Sequence, residues 1–330
     1  MPPICSRSRT LERALGVCGR SAFGLALALL SACSVQNGVV GAQTVSVSKP
    51  DAGAPDAALP DAALVPTFQT DFDANDGQWS PQNTISGSTT NFGVTFAGAA
   101  DPSTAELRFP GHPEYAATDK IGPSFATNIT LNQRFGFGTY LTRLQFGTCS
   151  PSEDTVGALL GYFNDHQDEN GNGITDDVEI DMQVLCGTPH RVYMTVFTDD
   201  SDQGDVFRKV SRVVDFSTGD VYDTPSPQKD AYTKTDTESA LLHPEWPVAG
   251  AFYEMGFEWH TASLRFFIVL NGAEVTLWTL TDPARIPQLK VSFIYNMWHP
   301  DTHWYPSTAI AAYPANDVVM HVDWLKFYAE

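Results

Sequence analysis

The pattern of hydrophobic and polar positions divides the chain into three stretches. Positions 23–30, Phe-Gly-Leu-Ala-Leu-Ala-Leu-Leu, form one apolar run behind a segment with four arginines (Arg7, Arg9, Arg13, Arg20) and one acid, Glu12. Positions 34–66 hold no aromatic residue and repeat Pro-Asp-Ala at 50–52, 55–57 and 60–62. From position 67 onward, short apolar runs recur between glycine, proline and asparagine, and no long stretch has helical period. This punctuation predicts strands at 135–146, 156–163, 178–185, 191–197, 207–216, 252–259, 263–270, 274–280, 289–298 and 318–328. Asn271-Gly272 lies between two of them and predicts a tight hairpin, because both residues tolerate the positive φ that such turns need. So many strands in one segment predict an all-β sandwich or jelly roll over 67–330.

The first apolar run is far shorter than the roughly 20 residues of a bilayer-spanning helix. With its positive flank it predicts a secretory signal over 1–32. It ends Leu30-Ser31-Ala32-Cys33, which resembles a bacterial lipobox. The resemblance implies acylation of Cys33 and a chain held in the cell envelope, at the outer membrane or cell surface. Each acyl CH₂ buried contributes about 0.8 kcal/mol, so several chains hold firmly. Prolines at the period seen in 33–66 prevent a helix and favour an extended chain. Such a spacer reaches on the order of 100 Å at roughly 3.1 Å per residue.

Cysteine usage fits export. Of five cysteines, Cys5 and Cys18 leave with the signal and Cys33 takes lipid. Cys149 and Cys186 remain, an even pair in an oxidising compartment, and predict one disulfide; two free buried thiols are the alternative. The net charge is −20, and loss of a net-positive signal leaves the mature chain more acidic still. A basic nucleic-acid footprint is excluded.

One strand carries chemistry. In Val178-Glu179-Ile180-Asp181-Met182-Gln183-Val184 apolar and polar residues alternate. Strand side chains alternate faces, so Val178, Ile180, Met182 and Val184 should face the core while Glu179, Asp181 and Gln183 line the other side. Two neighbouring carboxylates on one face repel, which raises one pKa. A solvated polar strand face is the plainer alternative.

The string Glu179-Ile180-Asp181-Met182-Gln183 resembles the catalytic strand of glycoside hydrolase family 16, the laminarinase and lichenase group, whose pattern is Glu-x-Asp-x-Glu. Gly138-Thr139-Tyr140-Leu141-Thr142-Arg143 is similar to an upstream strand that carries an arginine. Tyr253–Trp259 resembles the Tyr-x-x-x-x-Glu-Trp strand, Ile294-Tyr295-Asn296-Met297-Trp298 the Asn-x-Trp strand, and Val322–Tyr328 the closing strand. In order, these pieces cover nearly all of 67–330. The resemblance implies a concanavalin A-like β-sandwich jelly roll with a concave glycan-binding face and a polysaccharide partner, β-glucan. It implies Glu179 as nucleophile and Asp181 as its orienting partner. The general acid/base position falls on Gln183, a departure from the pattern. A retaining glycosidase needs two carboxyls roughly 5–5.5 Å apart. An amide fills similar space without donating the proton, and loss of a general acid costs about 10²–10⁴-fold. Asp199, His299 and Asp301 are candidate substitute acids. Asn296, Trp298, His299, Trp304 and Arg143 are candidate substrate-binding residues, with His303 close by; core or rim packing is the alternative for the aromatics.

Before this strand, Asp168-Glu169-Asn170-Gly171-Asn172-Gly173-Ile174-Thr175-Asp176-Asp177-Val178-Glu179 fits the calcium-loop pattern D-x-[DN]-x-[DN]-G-x₅-E. Oxygen donors at Asp168, Asn170, Asn172, the Ile174 carbonyl and Asp176 suit Ca²⁺, with Gly173 at the sharp turn. Glu179 occupies the twelfth position, and a glutamate cannot both chelate calcium and attack a sugar; the expectation is that it faces the groove. A polar turn without metal is the alternative. Three functions follow: a surface-displayed glycan-binding protein with hydrolysis lost or strongly reduced, an active retaining endo-β-glucanase with a substitute acid, or a calcium-stabilised adhesion module. Gln183 favours the first.

Overall fold

The computed structural model describes residues 65–72, 77–84, 93–97, 104–111, 126–165, 167, 168, 171, 173, 176–198, 209–224, 232–300, 302–304 and 309–330. The expected signal, Cys33 and nearly all of 33–66 lie outside the described residues. So do Asn170, Asn172, Ile174, Asp199 and Asp301.

Among the described residues the strands are β1 (Phe68–Thr70), β2 (Trp79–Thr84), β3 (Gly93–Ala97), β4 (Thr104–Phe109), β5 (Ala126–Phe135), β6 (Gly138–Gln145), β7 (Val156–Asn164), β8 (Asp177–Leu185) and β9 (Arg191–Phe197). They continue as β10 (Lys209–Asp215), β11 (Asp220–Asp223), β12 (Thr233–Thr237), β13 (Tyr253–Trp259), β14 (Leu264–Leu270), β15 (Ala273–Leu280), β16 (Val291–Trp298) and β17 (Val318–Ala329). The first sheet runs β15-β14-β13-β6-β17-β4-β3, with β1 also paired to β17. The second runs β12-β11-β10-β9-β8-β7-β16-β5-β2. The pairing is antiparallel, and the two sheets make a jelly-roll sandwich.

Alternation builds the core between them. In β6 the buried positions are Tyr140, Thr142 and Leu144. Tyr140 stacks on Phe257 of its own sheet, centroids 4.7 Å apart, and on Phe293 of the second sheet at 5.8 Å. The Thr142 hydroxyl donates to the Trp324 carbonyl at 2.7 Å and so accepts from the Tyr295 hydroxyl at 2.6 Å, which satisfies a polar pair inside the core. The β14–β15 hairpin turns at Asn271 and Gly272, with φ of 53° and 77°, the two successive positive values a two-residue turn requires.

One predicted strand is corrected. The stretch 135–146 is two strands: β5 belongs to the second sheet and β6 to the first, with the crossing at Gly136 and Phe137. Gly138 has φ 147°, and a Cβ there would lie 2.2 Å from the Tyr328 carbonyl oxygen, so only glycine lets β6 begin here. Cys149 and Cys186 form a disulfide, Cα atoms 5.1 Å apart, joining the segment before β7 to the end of β8.

Candidate functional site

β8 sends Val178, Ile180, Met182 and Val184 into the core. Glu179, Asp181 and Gln183 therefore share the outer face of the second sheet. Strand register gives each its neighbours. Glu179 lies between Tyr162 and Phe197, Asp181 between Leu160 and Thr195, and Gln183 between Ala158 and Tyr193. One strand further on, Lys209, Ser211 and Val213 stand opposite Phe197, Thr195 and Tyr193. On the other side, Ile294, Asn296 and Trp298 stand opposite Leu160, Ala158 and Val156, and Asn128 opposite Asn296.

The floor of this face is apolar. Val156, Ala158, Leu160, Leu185, Tyr193 and Val213 form a second buried cluster, separate from the sandwich core, and Trp298 and Trp304 pack against it. Trp304 meets Tyr193 edge-on with centroids 5.1 Å apart, and Trp298 at 5.7 Å. Amphipathic rings beside the polar side chains of Glu179, Gln183 and Asn296 suit a ligand with both apolar and hydroxyl surfaces.

The carboxyls are unequal. Asp181 is 2% exposed and its Oδ1 is buried with no hydrogen-bond partner. Burial pushes its carboxyl well up, and the charge of Glu179 and a hydrogen bond to it push the same way; Lys209 pulls weakly down. Burial and the neighbouring Glu179 thus both favour the neutral form of Asp181. Gln183 offers an amide, which donates and accepts hydrogen bonds but releases no proton. The side-chain oxygens of Asn128 and Asn296, a cross-strand pair, are also buried without a partner.

Three expected placements are corrected. Arg143 lies in the first sheet, remote in the fold from β8; its guanidinium pairs with Asp323 and covers the Phe252 ring at 4.7 Å. His299 follows Trp298 in sequence, and alternation sends it the opposite way: it stacks on the core residue Tyr313 with centroids 3.8 Å apart and planes within 4°. It therefore neither lines the Glu179 face nor serves as a substitute acid there. His303 is turned to the buried carboxylate of Asp154. Trp298, Trp304 and Asn296 stay on the face with Gln183.

Sequence reasoning missed Asn128, Lys209, Tyr193 and Phe197. Alternation within 191–197 and 207–216 carried the last three. Asn128 had little signal, since Thr127-Asn128-Ile129-Thr130-Leu131 holds only two apolar residues.

In the calcium-type loop, the Gly173 N–H donates to Asp168 Oδ2 at 2.7 Å, which closes the turn. Gly171 and Gly173 have φ of 72° and 83°. The Asp176 N–H donates to the Gln167 carbonyl at 2.7 Å, and Asp176 is fully buried. Glu179 lies on β8, engaged with Asp181.

The sequence matches no protein-family model and no curated protein. Solved structures do match. The β-glucanase of Bacillus licheniformis aligns over 80% of this chain and 98% of its own, at 14% identity and a TM-score of 0.50. A glycoside hydrolase family 16 endo-glucanase from Bacteroides ovatus aligns over 79% and 99%, at 14% identity and a TM-score of 0.49. A lichenase from a mouse hindgut metagenome aligns over 80% and 99%, at 15% identity and 0.48. At 14% identity, the likeness to the Bacillus licheniformis structure shows the fold alone, a two-sheet jelly-roll sandwich.

Proposed function

We propose that this chain is an exported, lipid-anchored protein that recognises β-glucan on a β-glucanase-type sandwich, with hydrolysis lost or strongly reduced. One observation carries the reading. Glu179 and Asp181 share one strand face with Gln183, whose amide stands at the third polar position. The nucleophile and its partner are present, and the acid is not. Asp181 is a poor replacement, because it is buried between Leu160 and Thr195, out of reach of a leaving group on the face. The missing proton transfer raises the barrier by roughly 3–5 kcal/mol, from a loss of about 10²–10⁴-fold. What remains is binding chemistry: the amides of Asn128, Asn296 and Gln183 for hydroxyls, and the indoles of Trp298 and Trp304 for ring faces. The loop closed by Asp168 and Gly173 supports bound Ca²⁺, held by Asp168, Asn170, Asn172, the Ile174 carbonyl and Asp176, with no part in the sugar chemistry.

The test uses the full chain in detergent with laminarin and lichenan. It should bind one of them and release few reducing ends, and Gln183→Glu should release them about 10²-fold faster or more. Equal, high rates from both proteins reject this account of the acid and make the chain an active hydrolase. Binding to neither glycan rejects β-glucan as the ligand.

A further inference from the structure

Trp304 belongs to the connection after β16, where no sheet ladder holds it, yet its ring is seated against Tyr193 and Trp298. Its support comes from behind. The preceding residue, His303, hydrogen-bonds through Nδ1 to Asp154 Oδ2, and its backbone N–H donates to the Ala309 carbonyl at 2.9 Å. Asp154 also donates its backbone N–H to Ala312 at 3.1 Å, and Ala312 donates to Ser152 at 3.1 Å. The other carboxylate oxygen of Asp154 accepts the Gly187 N–H at 3.1 Å. Position 187 must be glycine: a Cβ would lie 2.1 Å from the Glu153 carbonyl oxygen and 2.8 Å from Asp154 Oδ1. The Cys149–Cys186 disulfide fixes the same corner, and the carboxylate lies within 4.8 Å of both sulfurs.

Asp154 is 0% exposed, and the chemistry of the Glu179 face does not use it. A fully buried carboxylate is costly unless it is hydrogen-bonded, and here the partners are His303 and the Gly187 N–H. We propose that Asp154 is a positioning residue: through His303 it fixes the Trp304 indole on the face, so that glycan affinity depends on a carboxylate that never touches glycan. The proposal rests on the glycan reading above.

A double-mutant cycle tests it, with laminarin affinity and near-UV circular dichroism as readouts on the full chain in detergent. Trp304→Ala is expected to weaken binding about tenfold, the scale of one aromatic contact. His303→Ala and Asp154→Asn should each weaken it by a similar factor, and either one combined with Trp304→Ala no further than Trp304→Ala alone. His303→Gln, which keeps a hydrogen-bond donor, should recover part of the loss. In His303→Ala the dichroism of the Trp304–Tyr193 pair should fall as it does in Trp304→Ala. A double variant whose loss is the product of the two single losses overturns the proposal. So does His303→Ala with wild-type affinity and dichroism. If laminarin and lichenan both fail to bind, the glycan reading falls, and the dichroism alone decides whether His303 positions the indole.

Discussion

Asp181 sits between Leu160 and Thr195 with 2% of its surface exposed, and this seat sets its chemistry. Its carboxyl is raised, first by burial and then by Glu179. Below the ordinary aspartate value of about 3.9, folded and unfolded chains both hold the proton. Above it the unfolded chain releases the proton while the folded chain keeps it, so stability falls as pH rises, until the folded group also ionises. Asp181→Asn removes this slope. Its melting temperature should gain on the wild type steadily from pH 4 towards neutrality; a pH-independent gap between the two curves would falsify the raised Asp181 carboxyl. The sequence showed that Glu179, Asp181 and Gln183 share a face, because the period of two is a property of the backbone. It did not show that Asp181 is dry, because Leu160 and Thr195 come from other strands. His299 was misplaced for the same kind of reason: nearness to Trp298 in sequence puts it on the opposite face, whereas nearness to Tyr313 is a tertiary fact.

At the scale of elements, β8 and the loop before it place their carboxylates in different surroundings. The loop turns on Gly171 and Gly173 and is closed on Asp168, and the strand carries Glu179 away to Asp181. If the loop binds Ca²⁺, the ion stabilises only the folded chain, by about 2.7 kcal/mol at a hundredfold excess over its Kd. Chelator should then lower the melting temperature of the full chain. Asp168→Ala should lower it as well and abolish the chelator's further effect. A melting temperature indifferent to chelator removes the metal. Element boundaries were legible wherever inward positions are apolar and a turn residue closes the strand, as at Asn271-Gly272. They were not legible in β12, whose five residues are all exposed, or in β5, whose inward face includes the buried Thr127. The run 135–146 read as one strand because Phe135, Phe137 and Phe146 are apolar on both sides of a glycine crossing.

At the scale of the whole chain, the question is what holds the domain in place. The net charge of −20 disfavours anionic membrane surfaces, so electrostatics offers no adhesion to the envelope. In the proposed reading, retention comes from acyl chains on Cys33, at about 0.8 kcal/mol per buried CH₂. Cys33→Ser should therefore move the protein from the membrane fraction to the soluble fraction and eliminate its labelling by radioactive palmitate. Laminarin affinity and melting temperature should stay at wild-type values, because Cys33 is far in sequence from Glu179 and Gln183. A variant that stays with membranes after a high-salt wash would show that something other than lipid on Cys33 holds it. The outcome also bears on Gln183. An enzyme that must diffuse through its substrate is limited by a tether, whereas a protein that captures glycan at the cell surface requires one. An amide at position 183 together with an acylated Cys33 would favour capture over cleavage, and release of a binding-competent protein by Cys33→Ser would separate the two contributions.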